Sequence, residues 1–332
     1  MALFVEPPPQ MMAPLMKPLF QWTFTPHPDW DRVRRRLEKV TAWPGAPRTV
    51  RVEHTTLGGV AAELLVPPVI NADTTVLYLH GGGFTVGSPR THRALAGRLA
   101  VAMKASTYVL DYRLAPEHPW PAAEQDAVAA YRALLARGIP ADRIAVAGDS
   151  AGGGLALTVA ITARDAGIPA PAVLGLICPG LDISQTALNA LPTTSKDIVL
   201  SPPLVRSFLT AYTNGFDGLR PSGSPLHAAL AGLPPIVIDT ASNDLIVSQS
   251  RELAARARAA GVTVHYTEHR GLWHVFHALA GVLPQATRAL RHLAQEMVRY
   301  TNPASATPIH GKNLSASVPK SGPPRILKRD SR

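Results

Sequence analysis

The fold is decided by residues Ile144–Gly152, which read IAVAGDSAG. The first four residues predict a strand, and the Ala/Leu-rich residues Leu155–Ala166 predict a helix behind it. A G-x-S-x-G at a strand-to-helix turn strains the serine backbone, and its glycines let neighbouring chain pass closely. The Ser150 hydroxyl then projects at the positive end of a helix, where developing negative charge is stabilised. Ser150 is therefore the candidate nucleophile, and an ordinary Gly/Ser-rich turn is the competing interpretation.

Outward from this turn, short β-branched runs alternate with longer helical stretches. Strands alternating with helices predict an α/β fold with a mostly parallel, eight-stranded sheet flanked by helices. A hairpin through Leu57-Gly58-Gly59 predicts an antiparallel edge. The remaining predicted strands are Thr49–Glu53, Val60–Val66, Thr74–Leu79, Thr107–Asp111, Val173–Cys178, Ile236–Asp239 and Val262–Thr267. The other predicted helices are Asp31–Val40, Thr91–Lys104, Asp126–Ala136, Ser248–Ala260 and Pro284–Tyr300.

Two segments interrupt the alternation and divide the chain. Residues 1–45 carry prolines, aromatic residues and one short charged helix, and residues 183–222 show no clear strand. We interpret them as the two parts of a helical cap over a core formed by residues 46–182 and 223–300. Residues 301–332 are rich in Pro, Ser, Gly and Lys/Arg, which predicts a disordered basic tail.

Composition limits the partners of the protein. The 332 residues carry a net charge of +10, which first suggests nucleic acid or an anionic membrane. Six basic residues against one acidic residue give residues 301–332 a charge of +5, so half of the excess belongs to the tail and no nucleic-acid partner is expected. The single cysteine, Cys178, excludes an internal disulfide and a cysteine-based zinc cluster. The chain shows no secretory signal or membrane-spanning run, so we expect a cytoplasmic protein.

A second glycine-rich motif, His80-Gly81-Gly82-Gly83-Phe84, follows the strand predicted at Thr74–Leu79. Successive glycines expose backbone N–H groups that can converge on an oxyanion without obstruction by Cβ atoms. Gly81 and Gly82 are the predicted donors, with the N–H of Ala151 as the third. His80 is expected to be a structural hydrogen-bonding residue rather than an acid or base.

Three motifs together resemble the hormone-sensitive-lipase-like esterases, a bacterial branch of the α/β-hydrolases. They are HGGGF at His80–Phe84, DYRLAPEHP at Asp111–Pro119 and GDSAGG at Gly148–Gly153, and the likeness extends from about residue 50 to residue 300. The resemblance implies an α/β-hydrolase fold and hydrolysis of short- to medium-chain acyl esters without a metal or organic cofactor. It gives the Asp111–Pro119 segment a structural role.

A serine nucleophile needs a base, and the base needs an acid that orients it. In this fold the acid follows the serine in the chain and the histidine follows the acid. Asp244 lies in the loop beyond a strand, whereas Asp239 is still in the strand and is expected to be structural. The family usually has Asp-Pro-Leu where this chain has Asp244-Leu245-Ile246.

The base is predicted to be His274, in the stretch GLWHVF at Gly271–Phe276, which resembles the family's histidine loop. The glycine that commonly follows this histidine is Val275 here. His269 is the alternative base, while His265 falls in a strand and His277 near a helix. A zinc site around His265, Glu268 and His269 is not expected, because these residues do not share a helical face.

These residues predict a carboxylesterase, a serine hydrolase with the triad Ser150, Asp244 and His274. Phe84 and Asp149 are candidate substrate-contacting residues, for which packing is an equally good account. Hydrolysis of an amide or acyl transfer on the same scaffold stays open, and a non-catalytic ligand receptor is disfavoured because all three triad residues are present. The expected partner is a small acyl ester, and a homodimer is left open.

Overall fold

The structure, a computed structural model, describes residues 9–25, 29–43, 45–70, 74–218 and 223–301, without the side chains of residues 9–11. Of the tail predicted at residues 301–332, Thr301 is the buried last residue of a helix, and residues 302–332 lie outside the described residues. No described helix combines the length and the apolar character that crossing a bilayer requires.

Eight strands form one sheet in the order β1-β2-β4-β3-β5-β6-β7-β8. Only β2 runs against its neighbours, β1 and β4, and the other strands pair in parallel. The predicted mostly parallel α/β sheet with an antiparallel pair near its edge is confirmed. The strands are β1 (Arg51–Leu57), β2 (Val60–Val66), β3 (Thr75–Leu79), β4 (Ser106–Leu110), β5 (Ile144–Asp149), β6 (Val173–Ile177), β7 (Ile236–Ala241) and β8 (Val264–His269).

Helices cover both faces of the sheet, and each face has its own hydrophobic cluster. In the chain order of the described residues, the helices are α1 (Pro9–Thr23), α2 (Trp30–Thr41), α3 (Pro89–Met103), α4 (Ala122–Ala136), α5 (Ala151–Asp165), α6 (Gln185–Asn189), α7 (Pro202–Thr213), α8 (Val247–Ala259) and α9 (Pro284–Thr301). Helices α3 and α9 pack on one face, and α4, α5 and α8 pack on the other. The central strands β3 and β5 are buried on both sides, so their residues are nearly all apolar or small.

The helices of the two segments that interrupted the alternation pack against each other. Trp30 at the start of α2 stacks on Phe208 of α7 with ring centroids 5.6 Å apart, and Phe24 meets the same ring edge-on. Arg34 of α2 forms a bidentate pair with Glu117 and also donates to the carbonyl of Ala115. These contacts join α2, α7 and the Asp111–Pro119 segment above the sheet.

Three helices of these two segments, α1, α6 and α7, have no predicted counterpart. Helix α1 was not predicted, because Pro14 and Pro18 lie inside it and proline is a helix breaker. Helix α7 falls in the segment interpreted as part of the helical cap, for which no helix bounds were predicted, although Ser201 followed by two prolines is a helix-start signal. The Ser201 hydroxyl accepts the N–H of Leu204, as an N-cap residue does.

Candidate active site

Ser150 stands on the turn between β5 and α5 in a strained backbone conformation, with φ 51° and ψ −122°. Its N–H donates to the carbonyl of Ile177, and its own carbonyl accepts the N–H of Gly180 at 2.8 Å. A Cβ atom at Gly152 would lie 1.9 Å from the carbonyl oxygen of Leu79, so only glycine lets α5 approach β3 this closely. Helix α5 begins at Ala151, four residues before the predicted start, and its first turn holds Gly152, Gly153 and Gly154.

His274 lies within reach of this serine. Its Nε2 is 2.8 Å from the Oγ of Ser150, although the two residues are 124 positions apart in the chain. The imidazole is buried, and burial by itself would lower its pKa. The carboxylates of Asp244 and Asp197 outweigh that effect and raise the pKa of His274 above its ordinary value of 6.5.

Asp244 completes the group from the turn after β7. Its Oδ1 lies 3.0 Å from Nδ1 of His274 and accepts the N–H of Ile246 at the same distance. At this separation the Asp244 carboxylate favours the charged form of the His274 imidazole. Both side chains are nearly inaccessible to solvent, where such a contact is strong.

A second buried carboxylate, Asp197, stands beside the pair and was not predicted. It accepts the N–H of Val199 through Oδ1 and the N–H of Leu245, the residue after Asp244, through Oδ2. Burial raises the pKa of Asp197, and the neighbouring His274 counteracts that rise. Its own turn signal, Ser195-Lys196-Asp197, is common in loops, and nothing in the sequence indicates that this loop reaches the end of β7.

Asp239 lies in β7, as predicted, and its side chain connects the two ends of the loop that carries His274. Its Oδ1 is 2.6 Å from Nε2 of His277 and 2.8 Å from Nε2 of His269. Potential ligand atoms of the three residues lie within 4.8 Å of one another, which is close enough for a metal ion. The contacts to Asp239 already give both imidazoles a partner. His265, by contrast, contacts Glu296 at 3.1 Å, away from this group.

Two of the candidate oxyanion donors, Gly81 and Gly82, lie in the loop after β3. The N–H of Gly81 donates to Oδ1 of Asp149 at 3.1 Å, so this predicted donor is already committed. Gly82 and Gly83 line the cavity beside Ser150 together with Ala151, and no described residue accepts a hydrogen bond from their N–H groups. Gly81, a predicted donor, thus bonds to Asp149 and is absent from the cavity wall, whereas Gly83, which the sequence did not distinguish from its neighbours, lines it.

Asp149 stabilises this loop through the contacts of its carboxylate. Besides the N–H of Gly81, its Oδ1 accepts the hydroxyl of Tyr78 at 2.7 Å, and its Oδ2 faces Nε2 of His92 at 3.5 Å. Burial would raise the pKa of Asp149, but His92 and the hydroxyl of Tyr78 together lower it. His80 is fully buried beside them, and its Nδ1 lies 2.8 Å from the carbonyl of Gly81. Burial, reinforced by the nearby His92, lowers the pKa of His80 to about 3, so this imidazole is neutral.

An apolar cavity of about 340 Å³ opens above Ser150 and His274. Phe84 forms part of its wall, with its ring stacked 3.8 Å from that of Tyr212. The other walls come mainly from helices α1, α2 and α7, through Met16, Leu19, Phe20, Leu37, Val40, Leu204, Val205, Phe208 and Leu209.

The chain is similar to known proteins over most of its length. A family model described as the alpha/beta hydrolase fold matches residues 76–278. An acetyl-hydrolase of Streptomyces hygroscopicus is 40% identical over 261 residues, which cover 79% of this chain and 85% of that protein. Carboxylesterase NlhH of Mycobacterium tuberculosis is 34% identical over 295 residues, which cover 83% and 92%.

Solved structures are similar to the same extent. An esterase from the bacterial hormone-sensitive lipase family has a TM-score of 0.82 and 33% identity, covering 90% of this chain and all of the other. The esterase EstE5 has a TM-score of 0.80 and 36% identity, covering 87% of this chain and 98% of the other.

Proposed function

This chain belongs to the esterases of the α/β-hydrolase fold that are related to hormone-sensitive lipase, and on that premise we propose which residues perform its chemistry. The protein is a serine hydrolase of carboxylic esters. We assign the nucleophile to Ser150, the base to His274 and the orienting acid to Asp244. The observation that carries the assignment is the 2.8 Å contact between Ser150 Oγ and His274 Nε2 at the floor of an apolar cavity.

In the first half of the reaction, His274 accepts the hydroxyl proton of Ser150 while Oγ attacks the ester carbonyl carbon. The carbonyl oxygen becomes an oxyanion, which the N–H groups of Gly82, Gly83 and Ala151 stabilise. Ala151 is the first residue of α5, so the helix dipole adds to this stabilisation. The imidazolium then gives its proton to the leaving alcohol, and an acyl-serine remains.

In the second half, water attacks the acyl carbon with His274 again as base, and the acid product and free Ser150 are released. Asp244 and Asp197 favour the imidazolium that forms in both halves, because the two carboxylates face it in a buried site. Asp149 acts through the loop: its contact with Gly81 fixes the strand end from which the next two glycines project.

We propose short- to medium-chain acyl esters as substrates. The cavity of about 340 Å³ lies at the lower end of the roughly 300–1,000 Å³ that ligand sites occupy, and its walls are mostly apolar. Helices α1, α2, α6 and α7 are then the cap, and Phe84 contacts the substrate from the oxyanion loop. We place this activity in the cytoplasm, as the sequence predicts.

The experiment is hydrolysis of a series of p-nitrophenyl acyl esters by wild type, Ser150→Ala and Ser248→Ala. Ser248 is exposed on α8 and serves as the matched control. We expect Ser150→Ala to lose turnover at every chain length without loss of folded structure, and Ser248→Ala to retain it. Turnover by folded Ser150→Ala would overturn the assignment, and a maximum rate with long acyl chains would overturn the proposed substrate class.

A further inference from the structure

Large apolar side chains are exposed around the entrance of the cavity. On α1, Leu15 is 72% exposed, Leu19 38% and Trp22 47%, and just beyond α2, Trp43 is 70% exposed. A contiguous apolar surface of this kind is typical of a binding surface rather than of open solvent. We call these four residues the rim face.

Helix α1 is apolar on both of its sides. Met16 and Phe20 face inward and line the cavity, whereas Leu15, Leu19 and Trp22 lie on the outer side at positions i, i+4 and i+7. A surface helix of a globular protein normally turns a polar side to solvent, whereas the outer side of α1 carries these apolar residues beside Lys17 and Gln21. The described residues cover only the inner one.

Helix α2 adds positive charge beside this surface. Arg32, Arg36, Lys39 and Trp43 are spaced i, i+4, i+7 and i+11, so they follow one side of the helix. The guanidinium of Arg36 lies 4.8 Å from the ring centre of Trp22 and donates to the Trp22 carbonyl, so this basic side adjoins α1. Residues 9–48 hold seven Lys and Arg against three Asp and Glu, a net charge of +4.

The rim face is continuous with the catalytic cavity. Leu19 and Trp43 belong both to the exposed surface and to the wall of the cavity that reaches Ser150. An apolar molecule resting on the rim face therefore meets no polar barrier between the surface and the wall of the cavity.

We propose that the rim face docks on an anionic phospholipid surface, from which acyl esters partition into the cavity. Exposed Leu and Trp side chains flanked by Lys and Arg are the composition of helices that lie in a membrane interface. The positive charge selects a lipid surface over a second copy of the chain, because two copies docked through the rim face would bring their basic α2 helices close together. The inference extends the proposed function, since it names where the ester substrate is met.

The test measures binding of the full chain, carrying Ser150→Ala, to vesicles by co-sedimentation. One set of vesicles is phosphatidylcholine alone, and the other contains equal parts of phosphatidylcholine and phosphatidylglycerol. The inactive background separates docking from turnover, so failure of docking leaves the assignment of Ser150 intact. We expect binding to the anionic vesicles that is at least about tenfold tighter than to the neutral ones, since each basic residue near such a surface contributes about fivefold.

Two variants in the same background locate the surface. Leu15→Ser combined with Trp22→Ser should weaken binding at least about tenfold, because it removes apolar surface that docking would bury. Neither residue belongs to the cavity wall. The control combines Val69→Ser with Ile70→Ser, which are 58% and 45% exposed beyond the end of β2, at the opposite end of the sheet from Ser150. This control should bind like its parent.

Activity and oligomeric state complete the test. In an otherwise wild-type chain, the Leu15/Trp22 double variant should hydrolyse a dissolved short-chain ester normally. Equal binding to both kinds of vesicle, or equal loss in the Val69/Ile70 control, would overturn the proposal. A concentration-dependent dimer by light scattering that the Leu15/Trp22 variant abolishes, without vesicle binding, would assign the face to a second copy instead.

Discussion

Val275 follows the base directly and takes a left-handed backbone conformation, with φ 48° and ψ 39°. This region costs a non-glycine residue about 1–2 kcal/mol, and a β-branched side chain is especially rare there. The N–H of Val275 donates to the buried Sγ of Cys178, at 3.3 Å. Strain is therefore held at the residue next to His274, and Cys178 has a structural role in keeping the loop in place.

The raised pKa of His274 predicts the pH dependence of hydrolysis. The base must be neutral to accept a proton, so kcat/KM should rise with pH through a pKa above 6.5 and level off in alkaline solution. The ion pair with Asp244 stabilises the fold below pH 6.5 and this contribution is lost as the pH rises through the raised pKa. Hydrolysis should therefore appear in the same pH range in which this stabilising contribution is lost. A rise of kcat/KM with pH that is centred at or below pH 6.5 would contradict the raised pKa of His274.

Asp244→Asn tests the same account by mutation. Loss of the carboxylate should move the rise of kcat/KM to lower pH. It should also reduce kcat about 10³–10⁴-fold, as removal of the acid does in such triads. Asp142 is exposed, and Asp142→Asn is the matched control, which should change neither the pH dependence of kcat/KM nor kcat.

Residues of β7 and β8 hold the loop that carries His274 in place. Asp239 belongs to β7, His269 ends β8, and His277 lies in the short 3-10 turn after the base. The two histidines therefore bracket His274 in the chain, and one buried carboxylate contacts both of them. The loop is therefore fixed on each side of His274, the proposed base.

Asp239→Leu should destabilise the protein by about 2–4 kcal/mol, because it leaves the buried His277 imidazole without its hydrogen-bond partner and removes the carboxylate beside His269. Chemical denaturation gives this value, and the rate at which an organophosphonate labels Ser150 should fall with it as His274 loses its position. Asp165→Leu is the control, since the Asp165 side chain is 60% exposed. Unchanged stability of the Asp239 variant would show that the loop is held by other contacts.

Trp120, in the segment after β4, links α7 above the cavity to α4. The N–H of Trp120 donates to the carbonyl of Tyr212 in α7, and its indole donates to Glu124 of α4 at 3.0 Å. Glu124 is buried, and burial raises its pKa to about 8 despite the hydrogen bond from Trp120. The folded protein therefore holds this carboxyl protonated at neutral pH, which the unfolded chain does not.

Glu124→Gln should raise the melting temperature at pH 8 and have a smaller effect at pH 5. The folded state binds a proton that the unfolded state has lost between pH 4.5 and about 8, so stability falls as the pH rises through this range. Glutamine keeps an acceptor for Trp120 and carries no charge, so a gain of at least about 2 °C is expected at pH 8. The exposed Glu252→Gln supplies the comparison, and equal shifts at both pH values would refute the protonation of Glu124.

The sheet and the three residues of the proposed triad could be read from the sequence because each is marked locally. Strands and helices alternate, glycines surround Ser150, and chain order places Asp244 and then His274 after it. The choice among Gly81, Gly82 and Gly83 was not accessible, since it depends on which N–H group Asp149 already occupies. The same holds for Asp197, which lies 47 residues before Asp244 and reaches it only in the folded chain.

The position of Asp197 has a consequence for recombination between related enzymes. Its loop lies between β6 and α7, in the segment that also supplies one wall of the cavity, yet its carboxylate holds the turn of Asp244. A chimera that imports this segment from a homologue to change selectivity exchanges part of the proton-transfer machinery as well. Selectivity and rate are therefore inherited together through this segment, and exchange of the wall formed by α1 and α2 is the route that separates them.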